Sequence, residues 1–113
     1  MLIVRDRITP AQLQEMAKRT FGNLVKAVVD VERRIMAVNG ELHSDEEALL
    51  LSDGSRQENL WGINIYPQAA PDELIEFDSL INIRPWQGNY TRNVDDPQTR
   101  QAIIQIVRDL LKG

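Results

Sequence analysis

The chain has 113 residues, 42% hydrophobic and 27% charged, with a net charge of −4 and no cysteine. These values describe one ordinary globular domain, long enough to bury a core, and they exclude disulfides, thiolate metal sites and cysteine nucleophiles. The acidic balance offers no general attraction to phosphate backbones, so no nucleic-acid partner is expected, and no apolar run nears the roughly 18 residues of a membrane span.

The opening "MLIVRDR" is too short an apolar stretch for a signal peptide, so a cytoplasmic protein is expected. Thr9, Pro10 and Gln12 then read as an N-cap, a proline at the first helical position and a capping-box partner. Leu13, Met16, Ala17 and Phe21 follow at helical spacing, and Gly22 supplies the stop.

"NLVKAVVDVERRIMAVNG" has β-branched runs on both sides of a charged "ERR", which predicts two strands joined by a tight turn. Residues 44–52 have two readings. As a helix, Ser44 is the N-cap and Glu47 its capping-box partner. As a strand, "ALLLS" pairs with "SRQENLW" through the two-residue turn Asp53-Gly54, and this hairpin is the favoured reading.

In "LWGINIYP", Trp61, Ile63 and Ile65 alternate against Gly62, Asn64 and Tyr66, and a proline-marked loop follows. In "LIEFDSLINIRP", Phe77, Ile81 and Ile83 alternate against Asp78, Asn82 and Arg84, so a strand with one polar face is predicted. "WQGNYTRNVDDP" is a polar loop. Asp96 and Pro97 then open a helix whose Ala102, Ile103, Ile106, Val107, Leu110 and Leu111 form an apolar stripe. The sum is an α+β domain: a mainly antiparallel sheet of about five or six strands, with two terminal helices packed on one face.

The stretches "VVDVERRIMAVNGELHSDEEALLLSDGSRQENLWGINIYP" and "FDSLINIRPWQGN" resemble the signature of an uncharacterised prokaryotic protein family, a small domain of unknown function, over nearly the whole chain. The resemblance implies a stand-alone cytoplasmic protein and assigns no activity, cofactor or catalytic residue.

Two groups of residues are candidates for a site. Glu41, His43, Asp45 and Glu47 surround the only histidine, and a strand would turn all four to one face. Imidazole with carboxylates suits a transition metal or general acid–base work, giving a small enzyme as the alternative reading, against a solvated charged turn. A helix scatters them. The second group is a polar sheet face of Asn64, Tyr66, Asp78, Asn82 and Arg84, with Arg84 as anion anchor and Trp61 or Trp86 as apolar wall. Phosphate loops and hydrolase elbows are missing. The leading expectation is therefore a ligand-binding or protein-interaction module: a homodimer with a small molecule or protein at the polar face that a one-sided sheet leaves open.

Overall fold

Thr9 and Gln12 close the expected capping box: the Gln12 N–H donates to Thr9 Oγ1 (3.1 Å) and the Thr9 N–H to Gln12 Oε1 (2.9 Å). Helix α1 runs from there over Pro10–Arg19. Gly22, at φ +94°, makes the left-handed exit and returns its N–H to the Ala17 carbonyl (2.7 Å). The structure is a computed structural model and describes residues 1–112.

Five strands form one antiparallel sheet: β1 (Leu2–Val4), β2 (Val25–Asp30), β3 (Ile35–Val38), β4 (Leu60–Ile65) and β5 (Ile75–Glu76), in the order β1-β3-β2-β4-β5. The "ERR" turn is where the sequence places it. Asp30 Oδ1 accepts the N–H groups of Glu32 and Arg33 (2.9 Å each), and Arg34 takes a positive φ of 57° before β3 begins. The edge strand β1 adds to the strands that the sequence pattern predicts.

Strand alternation sorts the core into two clusters. Val25, Ala27, Val29, Met36, Val38, Ile63 and Ile65 face α1 and the last helix, α3 (Pro97–Leu110), which contributes Ile103, Ile106, Val107 and Leu110. Val28, Ile35, Ala37 and Leu60 face the other way and pack against Leu50. Both terminal helices thus lie on one side, as expected.

Leu50 belongs to a further helix, α2 (His43–Ser52), which corrects the favoured hairpin reading. Its inward positions are His43, Glu46 and Leu50, a helical spacing with two polar members, so no apolar stripe shows in the sequence. The Asp53-Gly54 pair ends this helix instead of turning a hairpin. Gly54 sits at φ +103° and the Ser55 N–H donates back to the Leu50 carbonyl (2.9 Å). The expected open polar face is corrected with it, because α2 covers that side of the sheet.

The long strand expected over 74–84 is also corrected. Pairing stops at Glu76, and the chain turns through short 3₁₀ segments at Leu80–Asn82 and Pro85–Gln87. Gly62 allows this departure: a Cβ there would lie 2.6 Å from the Ser79 Cβ and Oγ, so the chain crosses where β4 has no side chain.

Candidate functional site

Helix α2 disperses the acidic–histidine group. Glu41 precedes it, exposed, and Asp45 points to solvent in its first turn. His43 turns inward, 8% exposed, with Nε2 2.8 Å from the Ile63 carbonyl. Burial pushes its pKa down, so the ring is neutral. Glu47 is half-buried; burial raises its carboxyl while the Arg84 charge and a hydrogen bond with Gln57 oppose that. Among the described residues no group of three or more His, Asp or Glu side chains is placed to hold a metal ion.

Glu46, which the sequence pattern does not single out, is the acid that goes inside. It is fully buried, Oε2 accepts the Gly40 N–H (2.9 Å), and burial pushes its carboxyl up to about 9. A side chain at position 40 would meet Glu46 Cγ at 2.7 Å, so Glu46 packs where residue 40 has no side chain. The i, i+3 spacing of His43 and Glu46 is the signal that could have found them, had a helix been assumed.

The second group divides three ways. Asn64 Nδ2 and Tyr66 Oη both donate to Glu76 Oε1, at 2.8 and 3.0 Å, which brings two of the five residues together. Asp78 pairs with Arg92 at the surface. Asn82 and Arg84 lie inside, against the open edge of β4 where β5 has ended. The Asn82 side chain bonds both the N–H and the carbonyl of Gly62. Arg84, 1% exposed, donates to the carbonyls of Leu60 (2.7 Å) and Gln57, with its guanidinium 4.1 Å from the centre of the Trp61 ring. Arg84 is therefore not the exposed anion anchor of the expectation. Trp61 is a wall for Arg84 itself, whereas Trp86 stands in solvent.

Asn89, buried beneath the same loop, ties the segment shut. Its Nδ2 donates to the carbonyls of Asn82 (2.8 Å) and Asn93 (2.7 Å), and its Oδ1 accepts the Asp95 N–H (2.8 Å). Backbone bonds join Arg84 and Asn89 in both directions, at 2.8 and 3.1 Å.

The result is a segment with its polarity reversed. Ser79, Asn82, Arg84 and Asn89 are buried, while Leu80 (67% exposed), Ile83, Trp86 (76%) and Tyr90 (69%) face out. Single exposed apolar residues are ordinary, but four large ones on one short loop are not. Buried hydrogen bonds fix the backbone that carries them, so these side chains are presented from a rigid base.

The family model described as Protein of unknown function (DUF5674) matches residues 2–110. No curated protein and no solved structure matches the chain.

Proposed function

The chain belongs to the DUF5674 family, and on this geometry we propose that it is a cytoplasmic protein-interaction module whose contact surface is the loop from Leu80 to Tyr90. The reversed polarity of that loop carries the reading. Aromatic and large aliphatic residues dominate the energetics of protein contacts, and a backbone already held by Asn82, Arg84 and Asn89 loses little further entropy on docking.

The proposed partner is a second copy of the chain. Isologous dimers are the commonest soluble assemblies, and such a contact places each Trp86 and Tyr90 against the same apolar patch of the other protomer. Light scattering over a concentration series tests this. The dimer is expected in the native chain and lost in the double variant Leu80→Ser, Trp86→Ser, with an unchanged circular dichroism spectrum. Trp86 emission should move to shorter wavelength as the dimer forms. A strict monomer at high concentration would defeat the proposal of self-association.

A further inference from the structure

Asn39 and Gly40 follow β3 and lead towards α2, and each answers a local demand of the fold. Asn39 has a φ of +68°, a left-handed conformation that asparagine tolerates better than most side chains. Gly40 is buried, and Glu46 fills the space beside it: a Cβ there would lie 2.7 Å from Glu46 Cγ. Two separate demands thus produce the one Asn-Gly pair in the chain.

An Asn-Gly pair carries its own chemistry. The nitrogen of the second residue attacks the side-chain Cγ of the first, and glycine has no side chain to hinder the approach. That nitrogen gives up its hydrogen, the side-chain NH2 leaves as ammonia, and a five-membered succinimide ring closes. Water then opens the ring at either carbonyl, giving aspartate or isoaspartate. The balance is asparagine and water to the acid and ammonia, with no oxidant and no further reactant.

In the fold the attacking nitrogen is occupied. The Gly40 N–H donates to Glu46 Oε2 at 2.9 Å, inside the protein. Burial pushes the Glu46 carboxyl up to about 9, so at neutral pH it is uncharged and holds this hydrogen without removing it. The hold is only as firm as α2. No side-chain hydrogen bond caps that helix at Leu42, and of its buried residues His43, Glu46 and Leu50 only the last is apolar. Segments with few buried apolar contacts are the ones that open locally.

We propose that Asn39-Gly40 is a site of spontaneous deamidation, closed while Glu46 holds the Gly40 N–H and opened when the first turns of α2 leave the sheet. The reaction places a carboxylate at position 39. As isoaspartate it also adds a methylene to the main chain between β3 and α2, which displaces Gly40 from Glu46, so the modified chain does not close the same bond. This chemistry is independent of the contact surface proposed for Leu80 to Tyr90.

The test follows the native full chain at neutral pH by peptide mapping and mass spectrometry, reading at Asn39 the exchange of NH2 for OH and the succinimide that precedes it. A synthetic peptide of residues 36–44 supplies the unguarded rate. The native chain is expected to react at least roughly tenfold more slowly than the peptide. In low urea its deamidation and the hydrogen exchange of the Gly40 amide should accelerate by the same factor, because both report one opening. Glu46→Gln keeps an acceptor for the Gly40 N–H and should stay as slow as the native chain. Glu46→Ala removes the acceptor and should be modified roughly tenfold faster, the effect of about one lost hydrogen bond, while its circular dichroism spectrum shows it folded. If Glu46→Ala does not fold, the urea series on the native chain decides alone. A native rate equal to that of the peptide, unrelated accelerations in urea, or a folded Glu46→Ala no faster than the native chain overturns the proposal.

Discussion

The side-chain amide of Asn82 is bonded at both ends to the backbone of Gly62: Nδ2 donates to the Gly62 carbonyl at 3.0 Å, and the Gly62 N–H donates to Oδ1 at 2.8 Å. One side chain thereby does for β4 what a neighbouring strand would do. Asn82→Asp keeps the shape but sets a carboxylate oxygen against the carbonyls of Gly62 and Arg92. Asn82→Ala leaves both Gly62 groups unpaired. Each variant is expected to lose about 2–3 kcal/mol in urea unfolding, the scale for buried polar groups without partners. A loss within experimental error would show that water replaces the amide there.

Arg84 is expected to be a folding residue. Its guanidinium serves the Leu60 and Gln57 carbonyls and stacks on Trp61, so Arg84→Leu orphans two acceptors. The sequence reading of an exposed anchor expects that variant to fold normally; the structure expects a loss of about 2–4 kcal/mol by chemical denaturation. Arg84→Lys should recover only part, because an ammonium lacks the planar fork that spans both carbonyls and rests on the indole.

The terminal helices and the β2–β3 turn are legible because their signals are local: Thr9 with Gln12, Asp96 with Pro97, Asp30 before its turn. The hidden parts share a different cause. At His43, Glu46, Asn82 and Arg84 polar side chains occupy interior positions, and each is matched there by a backbone group outside its own element. Periodicity assigns such residues to the outside. The alternation of Asn82 and Arg84 is real and so is their proximity to β4, but they meet its edge and not its face. Gly54 misleads differently, since a glycine at positive φ ends a helix as readily as it turns a hairpin.

Asp53 joins three parts of the fold, accepting from Arg5 just after β1 and from Arg33 in the β2–β3 turn, both at 2.7 Å. The bond from Arg5 and then that from Arg33 hold its carboxyl down to about 2. A folded-state value below the ordinary 3.8 means that this contribution is present above the ordinary value and is lost as pH falls through about 2. Asp53→Asn should therefore melt slightly below the native chain at neutral pH and converge with it in strong acid. Added salt should narrow the neutral-pH difference, since the ion pairs are solvent-facing.

Glu46 works in the opposite sense. Burial raises its carboxyl from the ordinary 4.5 to about 9, against the weaker pull of the Gly40 N–H and the Lys26 charge. Between those two values the folded chain keeps a proton that the unfolded chain has released. Stability therefore declines as pH rises from about 4.5 towards 9. Glu46→Gln removes this dependence, because its amide oxygen accepts the Gly40 N–H at every pH and carries no charge into the interior. The melting temperatures of the two proteins should be similar near pH 4.5 and separate steadily above it, with the glutamine variant the more stable. Glu46→Ala leaves the Gly40 N–H without its partner and opens space beside a residue that has no side chain, so it should be the least stable of the three at low pH. Parallel curves for the native chain and the Glu46→Gln variant would mean that the carboxylate is ionised in the fold, held by Lys26 rather than by its proton.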